Sequence, residues 1–301
     1  MHTRIRALIN GAFAAKSMRQ HQPVIERRAQ ALAARLLARG RPFDAVAGFC
    51  VPYAFGIHCD LLGVPQEFRL RLYRWSWARA ADPDAGPEQK RTAETELHRI
   101  VTGILHALGG DGQRVGVLGG LLGVHDRGVL TRGEVRGLAA SLFFDGAHLA
   151  AAQLATALLC LLLHPEQLTL VRTGQAPLSG AVEEVLRYSP AITLGMARDR
   201  TGQSPSGPAT CVAFGPVNRD PAAFTTPDVF DITQHPSPHL SFGRGIHHCL
   251  GAHLTRLQLS TALRVLLLEH PVLRLATPPH TLAWTASPTL RTLTAVPLTW
   301  H

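Results

Sequence analysis

Lysine is almost missing from this chain of 301 residues: Lys16 and Lys90 are the only two, so the formal net charge of +9 rests on arginine. Aromatic residues make up 6% of the sequence. So few leave no aromatic interleaving for stacked bases, and no nucleic-acid reader module is recognisable, which argues against nucleic acid as a partner. The five cysteines (Cys50, Cys59, Cys160, Cys211, Cys249) are odd in number and include no C-x-x-C pair. That pattern argues against a disulfide framework or a structural zinc site. No apolar core with a small-residue cleavage site follows the basic N-terminus, so a secretory signal is absent from the pattern and a cytoplasmic protein is expected. Charged residues are only 17% of the chain against 46% apolar, which excludes disorder, collagen and small stapled scaffolds.

What is present is a globular, strongly basic chain whose charge is unevenly placed. Residues 1–50 hold nine basic side chains against Glu26 and Asp44, and so carry +7 of the net +9. Such a segment either attracts an acidic protein, a nucleic acid or an anionic membrane, or is a solvated arginine face. One stretch, Leu138 to Leu163, is long and apolar enough to suggest a membrane span, but it contains Asp145, His148 and Gln153, each costly at bilayer depth. A helix buried in a helical domain, with no membrane, fits that composition better.

The dominant period is helical. It predicts helices over 3–18 and 23–39, broken at Gly40-Arg41-Pro42; an apolar helix ending at Gly63; then helices over 66–79, 87–108 and about 115–123. Thr131 and Glu134 form a capping box for a long helix over 132–163. His164-Pro165-Glu166 opens another at about 165–173, and Ser179 to Tyr188 is helical. Residues 191–240 turn to proline, glycine and threonine with β-prone runs such as Cys211-Val212-Ala213-Phe214, after which helix resumes from Gly251 to about His270 before a hairpin-like tail. With no repeat or linker in evidence, residues 1–301 read as one mainly α domain with a small β portion.

The stretch richest in chemistry is Phe242-Gly243-Arg244-Gly245-Ile246-His247-His248-Cys249-Leu250-Gly251, running directly into a helix. Its glycines allow a tight turn, and a cysteine before a helix N-terminus is favoured as thiolate. That suits a single axial metal bond; a buried, inert cysteine is the alternative.

The stretch resembles the haem-binding loop of the cytochrome P-450 superfamily, FGxGxHxCxG, at every fixed position. The resemblance implies one haem b with the Cys249 thiolate as iron ligand, framed by Phe242, Arg244 and Gly251, with His247 hydrogen-bonded to a propionate. Glu183-Glu184-Val185-Leu186-Arg187 is similar to the family's ExxR helix, implying that Glu184 and Arg187 form an ion pair bracing the loop. By the same likeness His2 and Arg6 bind one propionate and Arg198 the other. The fold implied is the P-450 fold without the N-terminal helices and strands that precede helix C, since His2 falls within that helix; a partner or second subunit would then cover the missing region.

Three positions depart from the pattern. Val229 stands where many members carry the arginine that completes the brace. In the long helix Gly146 falls on the glycine at which the helix opens, but the usual acid and threonine fall on His148 and Leu149. That pair relays protons during oxygen activation, leaving Asp145 and His148 as the nearest titratable candidates, unless His148 merely fills a pocket. The implied function is oxidation of a small hydrophobic molecule in secondary metabolism, with electrons from a ferredoxin-type donor docking on the basic helix at 1–39 together with Arg244 and Arg256, where charge reversal at Arg28 and Arg256 would test it. Peroxide-driven or radical-coupling chemistry, and a non-catalytic helper that stabilises a partner enzyme, stand as alternatives.

Overall fold

The computed structural model describes residues 2–40, 42–81, 86–110, 114–197, 210–234, 239–270, 272–285, 287 and 289–301. Among these residues the architecture is helical with little sheet. The helices are α1 (His2–Asn10), α2 (Ala15–Ala38), α3 (Val51–Leu62), α4 (Gln66–Ala81), α5 (Pro87–Gly109), α6 (Gly116–Asp126), α7 (Arg132–Asp145), α8 (Ala147–Leu163), α9 (Pro165–Arg172), α10 (Leu178–Tyr188), α11 (Phe214–Val217) and α12 (Ala252–Leu267). The strands are β1 (Phe43–Asp44), β2 (Leu194–Ala197), β3 (Thr210–Ala213), β4 (Leu273–Leu275) and β5 (Pro297–Trp300). The contacts gather into two compact units, Met1–Arg28 with Val51–Ala151, and Ala29–Cys50 with Ala152–His301.

In the first unit α5 packs on α4, α6 and α7. Its buried side chains, Leu97, Ile100, Val101, Ile104, Leu105 and Leu108, recur at the spacing of one helix face, so the apolar stripe in the sequence is the surface that forms this core. Trp75 Nε1 donates to the Ala93 carbonyl at 2.7 Å, satisfying a buried indole and fixing α4 against α5. The capping box that begins α7 is formed: Thr131 N–H reaches Glu134 at 2.8 Å, and Glu134 N–H returns to Thr131 Oγ1 at 3.2 Å.

The second unit packs α10 on α12 and carries two small antiparallel sheets, β1-β5-β4 and β2-β3. Asp44 ties the first sheet to the turn beside it. Its carboxylate accepts from Val46 N–H at 2.9 Å, Ala47 N–H at 3.1 Å and Val296 N–H at 2.8 Å. The tail forms β5, which pairs with both β1 and β4.

The helix boundaries near the start differ from the sequence expectation. Pro23, expected to begin a helix, lies inside α2. Met18 before it and Ile25, Ala29, Ala33 and Leu36 after it are all buried on one stripe, and that burial outweighs the one hydrogen bond proline removes. The real break is at 11–14, where Phe13 is buried and Ser17 Oγ donates to the Gly11 carbonyl at 2.7 Å. The long helix expected over 132–163 is interrupted at Gly146. It is apolar enough to cross a membrane, but 61% of its most apolar window is buried inside the protein, the pattern of a core helix.

Candidate active site

In the second unit, the chain from Phe242 to Gly251 forms a closed loop against the start of α12. Gly243 N–H donates to Leu240 O at 2.8 Å, His248 N–H to Gly245 O at 3.1 Å, and Cys249 N–H back to Phe242 O at 2.8 Å. Gly243 and Gly245 have φ of +66° and +76°, the left-handed region that a side chain makes costly. A Cβ at either meets nothing within 4 Å, so it is the backbone conformation, not lack of space, that requires glycine there. Arg244, Ile246, His247 and His248 are exposed, and Cys249 is half-buried.

The other buried cysteines make a useful contrast. Burial, above all other causes, pushes the thiols of Cys59 and Cys160 up to about 12, and that of Cys50 also well above its usual range. They behave as core residues. Cys249 is presented on a hydrogen-bonded loop, and a Cβ placed at Gly251 would sit in ordinary contact with its sulfur, at 3.9 Å.

Behind the loop, Glu184 and Arg187 lie one turn apart on α10 and are buried, with side-chain exposures of 6% and 4%. They meet in a two-point contact, Arg187 Nε to Oε2 and Nη2 to Oε1, each 2.7 Å. Arg187 also donates to the carbonyls of Asn218 (3.1 Å), Pro227 (2.8 Å) and Val229 (2.9 Å), while Glu184 accepts Asp231 N–H at 2.9 Å. All five guanidinium N–H groups are thus engaged. Val229 contributes its backbone carbonyl while its side chain is 52% exposed, so the brace closes around Arg187 without an arginine at 229.

A second network, which the sequence reading missed, joins α10 to α12 and the loop. Arg256 donates to Glu183 through Nε at 2.6 Å and Nη2 at 2.8 Å, and its guanidinium lies 4.6 Å from the Phe242 ring centroid. His239 Nε2 donates to Glu183 at 3.1 Å while its Nδ1 accepts Ser241 N–H at 3.3 Å. Burial pushes the Glu183 carboxyl up, but hydrogen bonds from Arg256 and His239 outweigh it and bring the pKa down to about 2. The acidic doublet Glu183-Glu184 was the available signal. Arg256, placed by the sequence at the docking face, is thus tied internally to Glu183. Arg28 likewise pairs with Asp60 at 2.6 Å, and Asp60 also takes Arg69 at 2.7 Å.

In the first unit, His2 and Arg6 sit one turn apart on α1, on one face. The break between α7 and α8 falls at Gly146, after Asp145, with His148 and Leu149 in the first turn of α8. His148 Nε2 donates to the Ser76 carbonyl of α4 at 2.5 Å. A buried histidine the sequence did not single out, His58 of α3, donates from Nε2 to the Leu142 carbonyl at 2.7 Å. Arg198 lies outside the described residues.

Among the described residues no group of three histidine, cysteine or acidic side chains is placed to hold a metal ion. A lone sulfur donor suits a metal that brings its other ligands with it, as haem iron does, which is the class of haem-thiolate protein that the sequence of the loop resembles. The comparisons agree. The family model described as Cytochrome P450 matches residues 178–289. Nocardicin C N-oxygenase of Nocardia uniformis subsp. tsuyamanensis is 32% identical over 99% of this chain and 77% of its own length. Cytochrome P450 monooxygenase PikC of Streptomyces venezuelae is 32% identical over 100% of this chain and 74% of its own. The solved structure of CYP154A1 from Streptomyces coelicolor A3(2) superposes with a TM-score of 0.89 at 27% identity, over 100% of this chain and 78% of that one. The chain belongs to the cytochrome P450 family. Its cofactor is haem held through a cysteine thiolate, and it is an oxidoreductase of the cytochrome P450 type.

Proposed function

We propose that this chain carries out oxidative tailoring of a small hydrophobic metabolite in secondary metabolism, in the cytoplasm, as a monooxygenase fed by a ferredoxin-type donor. The observation that carries this reading is the Cys249 loop, whose two left-handed glycines and closing Cys249–Phe242 hydrogen bond hold one thiol on a rigid, approachable turn. The names of relatives such as nocardicin C N-oxygenase support the substrate class.

Each residue has an assignable task. Cys249 ligates the iron as thiolate; His247 and Arg244, exposed on the same loop, offer positive or hydrogen-bonding groups to propionate, as do His2 and Arg6 on α1, and Arg198 is assigned to the other propionate. When bound, haem supplies the one-electron and oxygen chemistry, with thiolate donation favouring O–O cleavage. Glu184 and Arg187 keep the loop in place. His148, whose Nε2 donates to the Ser76 carbonyl, and Asp145, the last residue of α7, are assigned to proton delivery. Exposed Lys16, Arg19, Arg27 and Arg35 along α2, with Arg39 just after it, offer the charge that draws an acidic electron donor.

Leu149 favours a second reading, peroxide-driven turnover, because the family's alcohol is missing there. The two readings separate on Leu149→Thr. For a monooxygenase, product formed per electron consumed rises several-fold with a ferredoxin system. If that ratio is unchanged while hydrogen peroxide alone sustains turnover, the second reading holds.

A further inference from the structure

The buried histidine beside the break in the long helix has no assigned task, yet its position bears on that break. A Cβ at Gly146 would lie 2.0 Å from Cε1, 2.3 Å from Nε2 and 2.6 Å from Nδ1 of His58. The imidazole therefore occupies the space that any side chain at 146 would need. Its Nε2 lies 2.7 Å from the Leu142 carbonyl, and a carbonyl can only accept, so Nε2 carries the hydrogen. Desolvation, opposed in part by that same hydrogen bond, lowers the ring's pKa to about 4. The ring is thus neutral and makes an edge-on contact with Phe143 at 6.1 Å. On the far side of the break the hydrogen bond from Ala150 N–H to Gly146 O is stretched to 3.5 Å, and His148 anchors that turn to the Ser76 carbonyl.

We propose that His58 is a positioning residue: wedged against Gly146 and bonded to the Leu142 carbonyl, it holds the helix open between α7 and α8, with His148 anchoring the opposite lip. The two histidines come from, or reach, different helices. His58 ties the end of α7 to α3, and His148 ties the start of α8 to α4. The opening is thereby set by tertiary contacts, in a helix whose own side chain next to His148 is an apolar leucine. For the reaction this rests on the reading that the broken helix lines the catalytic site; for the helix itself it does not.

The experiment is a set of variants in the haem-loaded protein, read first by amide hydrogen exchange over 142–152. His58→Ala removes both wedge and donor, and exchange at the Ala150 amide, whose hydrogen bond to the Gly146 carbonyl is the stretched one, slows about tenfold as the helix closes there. His58→Gln restores a donor near the Nε2 position and returns exchange to the wild-type rate. Gly146→Ala lowers stability in the wild-type background, and the loss largely disappears when combined with His58→Ala, because the clash has gone. With the ferredoxin system, product per electron falls several-fold in His58→Ala and recovers in His58→Gln. Unchanged exchange in His58→Ala, or an equal loss from Gly146→Ala in both backgrounds, overturns the proposal. If His58→Ala does not fold, His58→Leu against His58→Gln decides: equal exchange in the two contradicts a role for the donor. A chain that shows the exchange pattern but no oxidation in any electron system refutes the proposed function and leaves the role of His58 in place.

Discussion

Arg187 is a costly residue to bury, because a buried guanidinium is tolerable only when every N–H has an acceptor and its charge has a partner. Both conditions are met through Glu184 and the carbonyls of Asn218, Pro227 and Val229. Glu184→Gln leaves that charge buried without its counter-ion, and denaturant unfolding should show a loss of about 3–5 kcal/mol. Val229→Arg should change stability by less than about 0.5 kcal/mol, since the side chain at 229 points largely to solvent and the brace already has the backbone carbonyl. A gain from that substitution would mean the brace is incomplete after all. Glu183 adds a pH dependence whose sign follows from its depressed pKa, about 2 in the folded chain against 4.5 for the free group. The unfolded chain takes up this proton first, so the stabilisation is whole above about pH 4.5 and is lost as pH falls toward 2. Unfolding measured across that window should lose less stability in Glu183→Gln than in the wild type.

At the scale of elements, the cysteine loop works as a unit because Gly243 and Gly245 sit at positive φ on either side of Arg244. Gly243→Ala has room for the methyl group but not the backbone freedom, so it should cost about 1–2 kcal/mol and lower the fraction of purified protein that retains haem. This loop was legible in the sequence because every residue it needs lies within ten positions. The stripe on α5 and the capping box of α7 were legible for the same reason: period and spacing are local properties. The break at 11–14 was not, because no proline marks it and Pro23 draws the eye to the wrong place; burial of Met18 and Ile25 on one stripe decides it. His58 was invisible too. Its partners, Leu142 and Gly146, are far away in sequence, and nothing about a lone histidine in an apolar helix announces that it will fill a glycine's missing side chain.

Across the whole molecule, arginine does two kinds of work that a net charge cannot separate. Arg28 and Arg69 converge on Asp60, Arg256 on Glu183, Arg187 on Glu184, and Arg4 on Glu134, each pair within its own unit. Charge reversal at Arg28 or Arg256 would therefore disturb folding before it reported on any partner, whereas the exposed cations of α2 leave the internal ties intact. The chain spans 77% and 74% of the length of the two relatives named above, and its loop, brace and broken helix all fall within the shared part. The central claim is that Cys249 binds haem iron as a thiolate, and the reduced carbon monoxide difference spectrum of the purified, haem-supplied protein tests it most directly. The wild type should give the red-shifted Soret band of thiolate ligation, and Cys249→Ala should lose it. A wild-type spectrum without that band, or a Cys249→Ala protein that keeps it, would contradict the assignment.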